Sequence, residues 1–270
     1  MHRIDTLRSV DGAFVDKNPG AGTRGTVVDA AFLNAAQEEI CNTIEDFGGT
    51  LVKGTNNQLS TFIRYWFGRL FVSNWSARSI SAEDYHACTW SPELNLFCAV
   101  GDANACSTSP DGITWTSRTI AAGSCRACTW SPELNLFCAV GLNNACATSP
   151  DGITWTSRTI PAGSYYGVAW SPELNLFCAV GNSVCATSPD GITWTSRTIS
   201  TGLYYEVVWS PELNLFCAVG NANACSTSPD GITWTPRTIA AGNYYACGWS
   251  PELIRFSAVG SSVSATSMMT

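Results

Sequence analysis

The chain repeats itself with a period of about 40 residues. The string Trp-Ser-Pro-Glu-Leu occurs five times, at spacings of 40, 40, 39 and 40 residues, and its copies begin at Trp90, Trp130, Trp170, Trp209 and Trp249. A second string, Ser-Pro-Asp-Gly-Ile-Thr-Trp, occurs four times, and its copies begin at Ser109, Ser149, Ser188 and Ser228. A period of this length indicates a repeat architecture in which each unit is one supersecondary element that buries its apolar face against its neighbours.

Each unit alternates short apolar stretches with turn residues, a pattern that predicts four short strands. In the first complete copy we place strand A at 85–90, a turn at 91–94, strand B at 95–100, strand C at 105–109, a turn at 110–112 and strand D at 113–120. Four antiparallel strands in some 40 residues make one blade of a β-propeller. A β-solenoid or open array, whose terminal repeats become polar caps, is the alternative.

The two ends of the repeat region favour a closed ring. Residues 74–80 match strand D alone, whereas the last copy stops at the end of strand C, near Ser267. The orphan strand and the three-stranded last copy together supply one blade, and closure removes exposed sheet edges. The sequence therefore predicts a mainly β fold: a five-bladed β-propeller over residues 71–270 with 3+1 strand closure.

Residues 1–70 are predicted to form a small helical region. Asp29 through Phe47 has a candidate N-cap, a Gly48-Gly49 stop and apolar residues at helical spacing. A second helix is expected over 57–70. The apolar stripes are expected to pack on each other as a hairpin, on the propeller, or on another subunit, so homo-oligomerisation remains open.

The amino-acid sequence of this region resembles the N-terminal region of bacteriophage tail-fibre and related tail proteins. The resemblance covers roughly residues 1–65 and is carried by the stretch from Gly25 to Glu45 together with Asn56-Asn57-Gln58-Leu59. It implies virion attachment through the N-terminal helices, contact there with other phage tail proteins, and a C-terminal part that meets the host. The expected location is the virion tail, after synthesis in the cytoplasm of a bacterial host.

The repeated Ser-Pro-Asp-Gly-Ile-Thr-Trp string resembles the Asp-box of sialidase-like propellers, one residue short between Asp and Gly. Locally, Asp111 is expected to accept backbone N–H bonds in the turn, Gly112 to take a positive φ, and Trp115 to pack between blades. Such a turn lies on the outer rim, so the resemblance concerns fold rather than catalysis.

Charge and composition exclude several partners. The formal net charge is −7, and residues 71–270 carry seven arginines against 13 acidic residues. Such a surface repels a phosphate backbone, so we expect no nucleic-acid partner. No apolar run is long enough to insert into a membrane, the N-terminus lacks a signal-peptide pattern, and only two histidines are present, so neither a histidine-based metal site nor a cofactor is expected.

The repeats differ mainly in the D–A and B–C connections, which emerge on one face of an up-and-down propeller. Tyrosine and asparagine on that face suit recognition of a sugar, and drift of surface loops is the alternative. The predicted ligand-binding residues are Tyr85, His86, Arg126, Tyr165, Tyr166, Tyr204, Tyr205, Tyr244, Tyr245, Asn104, Asn144 and Asn223.

The cysteines occur in pairs on strands B and C. The pairs are Cys98/Cys106, Cys138/Cys146, Cys178/Cys185 and Cys217/Cys225, and the last copy has Ser257 and Ser264 instead. Their joint replacement predicts that the two side chains touch. Buried free thiols are favoured, and cross-strand disulfides are the alternative.

These features favour a phage tail adhesin that recognises a host-surface glycan and has no catalytic residues. Asp84, Asp102 and Glu206 are expected to be single acidic residues, without an evident pair for general acid–base chemistry. A glycan-degrading, sialidase-like tail enzyme and a structural tail decoration protein are the alternative functions.

Overall fold

The computed structural model describes residues 76–267, together with residues 9–10, 13–14, 35, 38–39 and 41–42. The chain divides into two compact units, Met1–Ala77 and Arg78–Thr270. In the first unit, β1 (Ser9–Val10) and β2 (Ala13–Phe14) form an antiparallel pair. The described residues between 35 and 42 are helical. The rest of the helices predicted over 29–47 and 57–70 lies outside the described residues.

The repeats form five antiparallel sheets within residues 76–267, as the 40-residue period predicts. Four sheets have four strands in sequence order, and the last has three. The strands of the first three blades are β3 (Tyr85–Ser91), β4 (Leu96–Gly101), β5 (Ala105–Ser109) and β6 (Thr116–Thr119); β7 (Cys125–Ser131), β8 (Leu136–Gly141), β9 (Cys146–Ser149) and β10 (Thr156–Ser157); and β11 (Tyr165–Ser171), β12 (Leu176–Gly181), β13 (Cys185–Ser188) and β14 (Thr195–Arg197). Those of the last two are β15 (Tyr204–Ser210), β16 (Leu215–Gly220), β17 (Cys225–Ser228) and β18 (Thr235–Pro236); and β19 (Tyr244–Ser250), β20 (Arg255–Gly260) and β21 (Ser264–Thr266).

The fourth strand of the first four blades begins later than the sequence suggests, because the preceding turn holds its first residues. The carboxylate of Asp111 accepts hydrogen bonds from the backbone N–H groups of Ile113 and Thr114, both at 2.8 Å. Gly112 has a φ of 69°. The predicted roles of Asp111 and Gly112 are thus confirmed. Trp115 is half-buried, and its ring contacts that of Phe97 in its own blade. Its counterparts Trp155, Trp194 and Trp234 pack against the clusters between blades, as predicted for this position.

A tryptophan–glutamate hydrogen bond links each blade to the next. The indole Nε1 of Trp170 donates to the Glu133 carboxylate of the preceding blade at 2.6 Å. The same bond joins Trp130 to Glu93, Trp209 to Glu173 and Trp249 to Glu212, each at 2.6 Å. Both partners belong to the Trp-Ser-Pro-Glu-Leu string. The string is the same in all five repeats because its tryptophan and glutamate form the hydrogen bond between successive blades.

The predicted 3+1 closure is not confirmed, and residues 74–75 of the predicted closing strand lie outside the described residues. Ser76–Ile80 adopt no strand, and the last sheet ends at β21. The first strands of successive blades pack together, and we call them the inner strands (β3, β7, β11, β15 and β19). β19 does not pack on β3 in the same way. Trp90 is accordingly 38% exposed, whereas its counterpart Trp170 is 6% exposed.

The last blade differs from the others at the positions of the paired cysteines. The paired cysteines lie in the face of each blade that packs on the following blade, as Cys138 and Cys146 do against Phe177. In the last blade these positions are Ser257 and Ser264, both exposed. Serine hydroxyls there leave less apolar area to bury against another blade.

The cysteine pairs touch as predicted. The Sγ atoms of Cys98 and Cys106 are 3.9 Å apart, and those of Cys178 and Cys185 are 4.0 Å apart. All four are buried free thiols, and burial with the neighbouring thiol raises the pKa of Cys178 well above its usual value. The pairs therefore act as small apolar groups in the blade interfaces.

Candidate functional site

Each inner strand has a β-bulge near its start, on the face that carries the variable D–A and B–C connections. We call this face the variable face. In β11, Tyr165 pairs with Gly181 and Gly167 pairs with Val180, so Tyr166 is the extra residue. The same register shift occurs in all five inner strands. A bulge re-aims the side chain of its extra residue. The five bulge residues are His86, Arg126, Tyr166, Tyr205 and Tyr245, and we call them the bulge row.

The bulge depends on a glycine in the neighbouring strand. A Cβ atom at Gly181 would lie 1.9 Å from the carbonyl oxygen of Ser164, which is too close for any side chain. Glycine occupies this position in every blade, at Gly101, Gly141, Gly181, Gly220 and Gly260. The close backbone approach therefore fixes the position from which the bulge row projects.

Three consecutive tyrosines of the bulge row contact one another. The ring centroids of Tyr166 and Tyr205 are 5.8 Å apart with an interplanar angle of 81°. Those of Tyr205 and Tyr245 are 5.4 Å apart at 59°. Tyr245 is 51% exposed, and the other two rings are half-buried. Blades three to five thus present a continuous aromatic strip.

The first two blades carry a charged cluster in place of tyrosines. His86 Nε2 lies 2.9 Å from one Asp102 carboxylate oxygen, and Arg126 Nη2 lies 3.0 Å from the other. Arg126 Nη1 also contacts the His86 ring. The hydrogen bond with His86 lowers the pKa of Asp102, and Ser124 and Arg126 lower it further. This end of the row therefore offers fixed polar groups of both signs.

The first tyrosine of each pair belongs to the core rather than to the surface. Tyr165, Tyr204 and Tyr244 are at most 1% exposed and lie in the clusters between blades. Their hydroxyls are satisfied internally, as in the bond from Tyr165 to the carbonyl of Pro161 at 3.1 Å. Tyr85 is half-buried, and its hydroxyl lies 2.7 Å from Ser107 Oγ.

The predicted asparagines join the two loops of the variable face. Asn104 Oδ1 accepts a hydrogen bond from the backbone N–H of Gly123 at 2.8 Å, which ties a B–C loop to the following D–A connection. Asn144 and Asn223 make the same bond to Gly163 and Gly242. All three asparagines have positive φ, a conformation that asparagine tolerates well. Their side-chain oxygens therefore hold the two loops together, although the three residues themselves are exposed.

Glu206 is named from the sequence as a single acidic residue and is not among the predicted ligand-binding residues. It follows Tyr205 directly, at a position held by Ala87, Ala127, Gly167 and Ala246 in the other blades. Burial raises its pKa to about 7, partly offset by a hydrogen bond from the Val207 N–H. An acidic residue where the other four repeats have alanine or glycine was the available signal.

Within residues 76–267 and the shorter described stretches, no group of three or more metal-ligating side chains is present. No helix of the described residues is both long and apolar enough to cross a bilayer.

Three solved structures have similar architecture. A nidogen/laminin complex aligns with a TM-score of 0.55 and 11% identity, over 66% of this chain and 73% of that one. A streptogramin B lyase aligns at 0.58 and 11%, over 67% and 63%. A virginiamycin B lyase from Staphylococcus aureus aligns at 0.56 and 12%, over 68% and 69%.

These neighbours are β-propellers. The fold is a β-propeller. At such low identity the similarity extends to the fold alone.

The sequence comparisons are sparser. No family model matches the chain. An uncharacterized protein from Escherichia coli K12, StfP, is 37% identical over 71 residues, which are 24% of this chain and 34% of StfP. The chain thus matches about a third of the length of that relative.

Proposed function

We propose that this chain is a phage tail adhesin whose propeller binds a host-surface glycan through the bulge row. The observation that carries the proposal is the contact of Tyr166, Tyr205 and Tyr245 in one strip on the variable face. Tyrosine offers a large, rigid contact surface at low cost in side-chain entropy, and its ring suits the C–H face of a pyranose. The His86–Asp102–Arg126 cluster adds donors and acceptors for hydroxyl groups.

The attribution to a phage tail rests on the resemblance of residues 1–65 to tail-fibre N-terminal regions. Under this proposal the N-terminal helices hold the virion and contact other tail proteins, while the propeller meets the host cell. The protein is made in the bacterial cytoplasm and functions in the virion tail. Several similar contacts on one face strengthen attachment by avidity.

We further propose binding without turnover. Asp102 is engaged by His86 and Arg126, and Glu206 lies on another blade. Two of the similar structures are lyases by name, but likeness at 11–12% identity carries no reaction to this chain. A glycan-degrading tail enzyme is the alternative, and release of reducing ends from a bound glycan distinguishes the two.

The test is a glycan-array and host-cell binding screen of the full chain, followed by two variants. Tyr166→Ala and Tyr205→Ala are each expected to weaken binding about tenfold, which corresponds to the roughly 1.4 kcal/mol of a moderate hot spot. Ile192→Ala is the control, because this exposed residue lies in a C–D turn on the opposite face. Equal binding by all three variants would refute the site. Sugar release from any bound glycan would favour the enzyme.

A further inference from the structure

Glu206 is the charged residue of an open cavity lined by the first strands of several blades. The cavity has a volume of about 460 Å³. Its lining comes from the inner strands of four blades and includes Thr129, Trp170, Trp209 and Cys247. The remaining lining is aliphatic, proline or backbone, so Glu206 supplies its formal charge.

The carboxylate of Glu206 lacks a cationic partner among the described residues. Its hydrogen bond comes from the Val207 N–H, at 3.1 Å. The ion pairs found in residues 76–267 both involve Asp102 instead. A half-buried carboxylate with one hydrogen bond retains several unused lone pairs and an unfavourable desolvation energy.

An acidic side chain occurs at the repeat position of Glu206 in the fourth blade alone among the five repeats. Gly167 makes room for it, because a Cβ atom at Gly167 would lie 2.9 Å from the Glu206 Cα. The neighbouring repeats show that alanine also fits this place, as in Ala127 and Ala246. A carboxylate is therefore not required by the fold, and its desolvation has to be offset elsewhere.

A cationic ligand provides that offset. An ammonium group donates up to three hydrogen bonds and neutralises the carboxylate, and aromatic rings attract cations within about 6 Å. The partly exposed ring of Tyr205 precedes Glu206 in the chain, whereas Trp170 and Trp209 line the cavity with at most 8% of their surface exposed. The formal net charge of −7 also favours cations over anions near this surface.

We propose that the glycan recognised by the bulge row carries a free amine, and that the Glu206 carboxylate binds this ammonium group in the cavity. The inference rests on the proposed function, since the bulge-row tyrosines hold the sugar rings while Glu206 selects the amine. A neutral or N-acetylated sugar at the same place leaves the carboxylate desolvated and unpaired, so it binds more weakly.

The experiment compares two oligosaccharides that differ only at nitrogen. A chitosan trisaccharide carries free amines, and its N-acetylated counterpart does not. The full chain is titrated with each at pH 7 by calorimetry. We expect the amine form to bind at least tenfold more tightly.

Glu206→Gln is expected to remove this preference, whereas Tyr205→Ala should weaken the binding of both sugars. Asp84→Asn is the matched control, because it removes one negative charge from an exposed residue of the same face. It should leave the preference intact.

Each outcome has one reading. Equal affinity of the wild type for both sugars, or a preference that survives Glu206→Gln, overturns the amine inference and leaves glycan binding standing. Failure of the amine sugar to bind also overturns it. If no glycan on the array binds either, the proposed function fails too.

Discussion

Glu206→Gln should stabilise the protein at alkaline pH and have little effect at acidic pH. Burial raises the pKa of Glu206 from 4.5 to about 7 in the folded chain. The folded state therefore binds more protons than the unfolded state between these values, so its stability falls as the pH rises through that window. The glutamine side chain of the variant is neutral at every pH and avoids this loss.

The size of the effect follows from the shift. A difference of 2.5 pKa units at 1.36 kcal/mol per unit gives an upper bound of about 3 kcal/mol above pH 7. Glu206 is half-buried, so water screens part of this energy and the expected difference is about 2 kcal/mol.

The assay is urea unfolding of the wild type and the variant at pH 4, 6 and 8. Other titrating groups contribute equally to both proteins, so the difference between them isolates Glu206. We expect near-equal stability at pH 4 and the full gain for Glu206→Gln at pH 8. A difference that does not change with pH, or one that favours glutamate at pH 8, would refute the assignment of a desolvated carboxylate.

Three further predictions concern stability. Trp170→Ala should cost about 3–5 kcal/mol, because it empties a blade interface and leaves Glu133 without its indole donor. Trp90→Ala should cost less than half as much, because Trp90 is 38% exposed, and equal losses in urea unfolding would contradict this reasoning. Ile254→Asn should stabilise by about 1 kcal/mol, because Ile254 has a φ of 49° where the other four blades have asparagine, and an unchanged Tm would count against strain there. Tyr165→Phe should lower the free energy of unfolding by about 1 kcal/mol through loss of the hydrogen bond to Pro161, and should leave glycan affinity unchanged. A loss of affinity would show that Tyr165 takes part in binding.

The sequence alone was sufficient for the repeat unit. Its period gives the number of blades, and the alternation of apolar stretches with Ser-Pro-Asp-Gly turns gives the strands. The role of Asp111 was also predictable, because an Asx turn forms between residues two or three apart. These features arise from interactions between residues close in sequence, so a sequence pattern is sufficient to predict them.

The choice between the two tyrosines of each pair depended on tertiary structure. Adjacent strand residues normally face opposite sides, but the bulge between Tyr165 and Gly167 interrupts that alternation. Tyr165 therefore enters the interface with the preceding blade, and Tyr166 joins the aromatic strip. The bulge is formed with a glycine some 15 residues away, and no local pattern identifies it.

What the sequence by itself determined is the blade, because its strands and turns follow from periodicity and turn chemistry. What only the tertiary structure decided is how blades meet: the bond from Trp170 to Glu133, the different exposure of Trp90 and Trp170, and the burial of Glu206. These depend on contacts between residues about 40 positions apart or more. The energy of these contacts comes from apolar surface that packing removes from water. Identical repeats therefore contribute different stability inside the array and at its end.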